Sequence, residues 1–468
     1  MMDIPKRQSR LIIQLFLSVI CLLLLANAGS ILVPIYPISS LILALFLYFR
    51  APNLYVAFSL WISGLGALVK RIIDFQSGFF TFGTWSLTPD LVILVSAITF
   101  FIHLPRIIRI GGMPYVFASC SIFYGLLLGL ISAPTKDVVI HTLSWAPQIF
   151  FSFHLFANWR NYPQFRCIIE KSFLWLVIII GIYGILQFLL APGWDTFYII
   201  NGEATSFGLP EPLRIRVFST LSSPQDFAAF IGSCLLMTLT YEGPLRFIAT
   251  PVGHIALLLS AARTAWLSYV VGLITLFITL RSSLQLKLIV SLAIIIALAV
   301  PLTTVEPFSK SISQRFESFS NIQNDTSLEE RSDGYQQLLD IATQQITGSG
   351  IGGSLKIIAD TDIGVNDSAI LKTLFTLGWV GTIPYLTGLI LLAIKAFTIP
   401  RQCWDIFIGT GRIISLSLLS QVGLNVSILG SSGLLLWGFL GMSLAGYKYY
   451  LAQNMKQPEL DIDYLLMT

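Results

Sequence analysis

Five cationic side chains in this sequence, Arg214, Arg216, Arg263, Arg331 and Lys372, have the types and settings to act on an anion. An arginine fork stays ionised and offers paired N–H donors to a phosphate, and a lysine adds a compact positive charge. Arg214 and Arg216 lie two apart in Arg-Ile-Arg-Val-Phe-Ser-Thr-Leu-Ser-Ser-Pro, and Arg263 opens Arg-Thr-Ala-Trp-Leu. Arg331 follows Ser327-Leu-Glu-Glu330, whose capping-box spacing predicts a helix to about Ile346, and Lys372 sits just inside an apolar run. Snorkelling or a local ion pair accounts for any one of them taken singly. Gathered at one membrane face, the group points to an anion site.

Other spacings carry less. Gly348-Ser-Gly-Ile-Gly-Gly353 matches G-x-G-x-x-G, but a dinucleotide fingerprint follows a strand and opens a helix, whereas this run closes a helix. It reads as a flexible helix terminator, with a nest of anion-binding amides as the less specific alternative. Asp360-Thr361-Asp362 has a spacing that can chelate a divalent cation, yet with no α/β pattern around it, it reads as a solvated acidic turn. The four histidines form no Ser-His-Asp set: His103 and His154 read as structural, and only His141 falls near the outer surface. His254 lies deep in an apolar run, where a functional role and a neutral imidazole bonded to a neighbouring helix are both open. Cys21, Cys120, Cys167, Cys234 and Cys403 are odd in number and lack metal-ligand spacing, so they read as apolar fillers, and no metal site is expected.

The elements that must position these groups are membrane spans. Of 468 residues 55% are hydrophobic and 11% charged, against about 25% charged in a soluble domain. The apolar residues fall into blocks of spanning length, fourteen as cut, including 53–69, a short one at 91–104, 171–190, 263–280 and 285–303. This predicts an all-α polytopic integral membrane protein with 12–14 transmembrane helices and a large, partly helical extracytoplasmic loop. Lys6, Arg7 and Arg10 precede the first block, which reads as a first span rather than a cleaved leader. With that terminus cytoplasmic and the blocks alternating, 17 of the 28 Lys and Arg lie inside and 11 outside, in line with the positive-inside rule. Both termini are then cytoplasmic, connections 191–224 and 304–367 face outward, and all five cations share that side, Arg263 at the outer end of a span and Lys372 just inside another. The division expected is 1–303 as a first bundle, 304–367 as a cap, and 368–468 as three last spans with a cytoplasmic tail. The net charge of +4 is small and dispersed, which argues against nucleic acid as a partner.

Three segments resemble the O-antigen ligase and polymerase family, the integral-membrane enzymes that assemble bacterial surface polysaccharides. They are Arg214 to Pro224 with Asp226-Phe-Ala; Ala262-Arg263-Thr-Ala-Trp266-Leu; and the stretch from Arg331 through the glycine run to Asp367-Ser-x-Ile-Leu-x-x-Leu-x-x-Leu-Gly378-x-x-Gly381. The resemblance covers approximately residues 190 to 400. Many members carry His-Asn where this chain has Asp367-Ser368, so a role for that histidine does not transfer.

The resemblance implies a multi-pass protein of the bacterial cytoplasmic membrane that transfers a glycan from an undecaprenyl-pyrophosphate carrier to an acceptor sugar hydroxyl, with no cofactor, nucleotide sugar or metal. Its partners would be the lipid-linked glycan, an acceptor glycan or glycolipid, membrane lipids and other polysaccharide assembly proteins. Arg263 and Arg216 would hold the pyrophosphate, Arg214, Arg331 and Lys372 would assist, and Asp367 would orient or deprotonate the acceptor. The Asp367-Ser368 variant and the form of the segment from Arg214 to Pro224 look more like polymerase-type members than ligases. The alternatives are a transporter of a small anion, which calls for repeats or Gly/Pro-broken helices meeting at mid-membrane, and a non-catalytic part of a polysaccharide assembly machine.

Overall fold

A computed structural model of the chain describes residues 6–79, 87–202, 205–279, 285–286, 289, 293, 338–353, 368–403 and 405–454. Apolar blocks become helices because a backbone in lipid has no water to bond and must pair its own amides and carbonyls. In order the helices are α1 (Lys6–Leu25), α2 (Gly29–Arg50), α3 (Pro52–Ser77), α4 (Thr88–Leu94), α5 (Ala97–His103), α6 (Met113–Ser132), α7 (Thr135–Trp145), α8 (Pro147–Ala157), α9 (Tyr162–Leu190), α10 (Gly193–Asn201), α11 (Pro224–Thr240), α12 (Arg246–Leu259) and α13 (Arg263–Thr279). A short helix spans 338–344, and α14 (Ala369–Phe397), α15 (Ile406–Leu419) and α16 (Gly430–Asn454) follow. Among the described residues there is no strand, only an isolated bridge between Gly208 and Ile215.

Among the described residues, seven helical stretches are long and apolar enough to cross a bilayer: Gln8–Leu25, Gly29–Arg50, Pro52–Ser77, Thr88–Arg106, Met113–Ser132, Trp159–Leu190 and Ala369–Phe397. Leu15, Leu22, Leu25 and Ile131 are more than half exposed, as lipid-facing side chains are. The chain is an all-α polytopic membrane protein. The expected span at 285–303, apart from four helical residues, lies outside the described residues, as do Ser327–Glu330, Arg331, the Asp360-Thr361-Asp362 turn and Asp367.

Two helices run well past their apolar blocks, because charges at their ends find partners inside the protein. On α3, Lys70 bonds Asp74 one turn on, so the helix continues to Ser77. On α9, Arg166 pairs with Glu170 at 3.0 Å, and the helix starts at Tyr162. Block 91–104 is two short helices, α4 and α5, with a turn between them.

The glycine run corrects the expectation of a flexible terminator. The 338–344 helix does stop ahead of it, but the run then threads between α6 and α14. Helix α14 breaks at Gly378 (φ 58°, ψ −171°), and the break is bridged by the inserted segment. The amides of Trp379 and Val380, cut off from Phe375 and Thr376 one turn earlier, donate to the carbonyls of Gln345 and Ile346 at 3.3 and 3.2 Å. The carbonyls so released accept from the amides of Ser349 and Gly350, both at 2.9 Å. Ile351 N–H donates to Gly125 O of α6 at 2.8 Å, and the Tyr124 and Ser132 hydroxyls donate to the Thr347 and Ser349 carbonyls. With these amides bonded to carbonyls, they do not form the anion nest that is the alternative reading of the run. Gly348 and Gly350 have positive φ, and a Cβ on either would overlap the backbone of Gly378 or Gly129. Glycine is here a requirement of close approach.

The last helices pack into the earlier ones: α14 runs along α6, α16 along α8, and α15 contacts α11, α13 and α16. At the end of the bundle away from residues 205–223, Asp405 joins three of them. It caps Ile408 N–H at 2.9 Å and accepts from Tyr162 of α9, Tyr450 of α16 and Arg166 Nη1. Asp405→Ala is expected to cost about 2–3 kcal/mol, from one lost cap and two lost phenol hydrogen bonds, with the part-exposed arginine discounted. A thermal midpoint in detergent equal to that of the unmutated protein would refute this.

Candidate functional site

Residues 205–223 connect α10 to α11 as a short hairpin and a buried run. The hairpin closes through Arg216 N–H to Phe207 O at 2.8 Å and Leu209 N–H to Arg214 O at 3.2 Å, with Leu213 in the left-handed region at its tip (φ 69°). Arg214 is exposed there and forms an ion pair with Glu211 at 2.7 Å. Arg216 turns to the end of α12. Its Nη2 donates to Ala261 O at 3.0 Å, its Nε to Ser260 O at 3.3 Å and its Nη1 to Ser206 O at 2.6 Å. The last carbonyls of a helix lack intrahelical partners and carry its negative dipole end, so a cation is favoured there. These contacts fix the guanidinium in place and leave its formal charge intact.

The same turn presents Arg263. Helix α12 stops at Leu259, Ala261 takes a left-handed conformation (φ 51°), and α13 starts at Arg263. The chain reverses so that Trp266 Nε1 donates to Leu257 O at 2.9 Å and the Tyr269 hydroxyl meets His254 Nε2 at 2.8 Å. His254 also bonds Thr250 O through Nδ1, so the structure supports the neutral imidazole tied to a neighbouring helix. Thus Ala262-Arg263-Thr-Ala-Trp266 is a helical hairpin corner. Trp266 locks it, and Arg263 stands two residues beyond a carbonyl that Arg216 holds.

The start of α11 meets this corner, and the start of α14 lies near that of α11. At α11, Ser223 accepts from Asp226 N–H and donates to its carboxylate, Ser222 donates to the same oxygen, and Gln225 bonds Thr264 beside Arg263. At α14, Ser368 caps Leu371, and Lys372 lies within electrostatic reach of Asp226 and His141. Arg216, Arg263 and Lys372 therefore share one end of the bundle, with Arg214 at its exposed edge. Three of the expected cations are brought to adjoining elements; Arg331 and Asp367 lie outside the described residues.

A buried polar group that sequence reasoning passed over fastens the run 217–221. Arg71, 1% exposed, faces Asp195 at 3.2 Å, donates to the carbonyls of Ser219 and Leu221, and lies over the Phe218 ring. Asp195 accepts from Tyr183 and Gln187 at 2.7 and 2.8 Å, and Gln187 Oε1 accepts the amides of Phe218 and Ser219. Thr220 donates to Gly64 O, and Val217 N–H donates to Leu259 O at 3.1 Å. The Tyr198 phenol, on α10, donates to Ser222 O, and burial pushes its pKa up while Arg71 pulls it down. The signal available in the sequence was the charged group Lys70, Arg71 and Asp74 directly after the apolar block 53–69.

His103 bonds Thr99 O at 2.9 Å and His154 bonds the Thr99 hydroxyl at 2.7 Å, as structural residues do. The five cysteines are free thiols. Among the described residues no three His, Cys, Asp or Glu side chains gather as a metal set.

The bundle and its corner define a multi-pass membrane protein with cations collected at one end. Residues 248–386 match the family model described as O-antigen ligase. Over that segment the chain is similar to the O-antigen ligase family. The matched segment holds α12, α13, the glycine run and the broken first half of α14, and so includes Arg263 and Lys372; Arg214 and Arg216 precede it. No curated protein matches the chain.

Proposed function

We propose that this protein transfers a glycan from an undecaprenyl-pyrophosphate-linked donor to an acceptor sugar hydroxyl in O-antigen or exopolysaccharide assembly, as a polymerase rather than a ligase. The observation that carries the reading is the meeting of Arg216 with the α12–α13 corner that begins at Arg263, inside a segment of ligase-family sequence. The acceptor oxygen attacks the anomeric carbon, the bond from that carbon to the pyrophosphate oxygen breaks, and its electron pair leaves with the pyrophosphate. Arg216 and Arg263 stabilise that growing negative charge, an effect that is large where water is sparse and the cations are already in place. Arg214, Arg331 and Lys372 assist in binding. Asp367 accepts the hydroxyl proton, which requires it to come within about 3 Å of the acceptor oxygen.

The proposal sets the site at the extracytoplasmic face, with both termini in the cytoplasm and 304–367 as its cap. The polymerase preference rests on the Asp367-Ser368 variant and on the form of the segment from Arg214 to Pro224. Anion transport is not favoured by the break in α14, because the chain's own carbonyls and amides fill it instead of lining a path. Protein reconstituted in liposomes with lipid-linked donor is expected to extend the glycan and release undecaprenyl pyrophosphate, in EDTA as well as without it. Uptake of labelled phosphate with no glycan extension would replace this reading with transport.

A further inference from the structure

The charges at the end of α3 lie outside the roles given above, and their contacts supply a separate one. A buried ion pair contributes little to stability, since its Coulomb attraction is largely offset by the loss of hydration, and apolar side chains of similar volume often serve as well. Arg71 and Asp195 are 1% and 0% exposed, and what they hold is backbone. Two carbonyls, of Ser219 and Leu221, point into the interior at Arg71, while the amides of Phe218 and Ser219 are met by Gln187, itself bonded to Asp195. Ser219 is left-handed (φ 49°), a strained setting for a residue with a Cβ that persists only when its surroundings overdetermine it.

From this fixed point the chain leads both ways to the corner. Three residues upstream is Arg216 on the carbonyls of Ser260 and Ala261; four downstream is Ser223, whose helix start carries Gln225 on Thr264, next to Arg263. We infer that Arg71, braced by Asp195, is a positioning residue that sets Arg216 in register with Arg263 through the backbone of residues 217–221. The inference rests on the proposed roles of those two arginines. Lysine at 71 retains the charge opposite Asp195, but it cannot serve two carbonyls and stack on Phe218 at once.

The test is a double-mutant cycle on glycan transfer by purified, liposome-reconstituted protein, with turnover expressed per folded molecule. Arg71→Lys is expected to lower turnover roughly 10- to 100-fold, the scale of a displacement of about 1 Å. In an Arg216→Ala background the same change is expected to cost less than about threefold, because residues acting as a unit are not additive. With Asp405→Ala, at the far end, it is expected to be additive. Should Arg71→Lys fail to accumulate, Asp195→Asn takes its place in the cycle with the same expectation. Additive losses with Arg216→Ala, unchanged turnover in Arg71→Lys, or failure of both variants to fold would overturn the positioning role and leave the proposed function standing. Full activity of Arg216→Ala alone would instead remove the reading on which the inference rests.

Discussion

Cells whose only copy carries Arg263→Ala are expected to make normal amounts of the protein and almost no polymer. Arg263 is the first residue of α13, so its guanidinium stands at the positive end of that helix, and Arg216 is anchored on the two residues that precede Ala262. Loss of one preorganised donor to a developing oxyanion lowers rates by about 10²–10³, enough to empty a polymer ladder on a gel. Other contacts hold the corner in the variant: Trp266 to Leu257, Tyr269 to His254 and the left-handed Ala261 do not involve this side chain. Accumulation should therefore be preserved, which separates a chemical loss from a folding loss. Arg263→Lys, which keeps the charge but not the fork, is expected to restore part of the activity. Polymer of normal length and amount in Arg263→Ala cells would take the arginine out of the mechanism.

The second large effect concerns the segment bridging α14. Gly350→Val places a branched side chain at φ 79° and against the backbone of Leu128 and Gly129, while its amide must still reach Thr376 O. Overpacking and backbone strain together give about 3–5 kcal/mol of destabilisation. That is a large share of the stability of most domains, about 5–15 kcal/mol. The expected result is a protein that fails to accumulate or melts far below the unmutated chain in detergent. Gly423→Ala is the control: a Cβ at Gly423 meets nothing within 4 Å, and the change should stay within about 0.5 kcal/mol. Equal melting of the two variants would mean that the run at 348–351 does not bridge α14.

The contrast between Arg214 and Arg216 shows where reading the sequence stopped. They are two residues apart, identical in type and in the same motif, and nothing local separates them. Folded, one forms an exposed pair with Glu211 and the other holds the end of α12. The glycine run shows the same limit from the other side. Its helix-ending role was legible because glycine disfavours helix locally. Its insertion into α14 was not, since the partner carbonyls lie on α6 and α14, distant in sequence.

The sequence by itself determined the class of molecule, the helical state of its apolar blocks and the segments that carry the cations. Those properties follow from the solvent: in oil each stretch must satisfy its own backbone, so composition and length decide the outcome block by block. The tertiary structure alone decided which charged groups meet, that Arg71 and Asp195 grip residues 217–221, and that α14 is interrupted and bridged at Gly378. Contacts of this kind join helices by packing and by hydrogen bonds between residues far apart in the chain, and no local spacing records them.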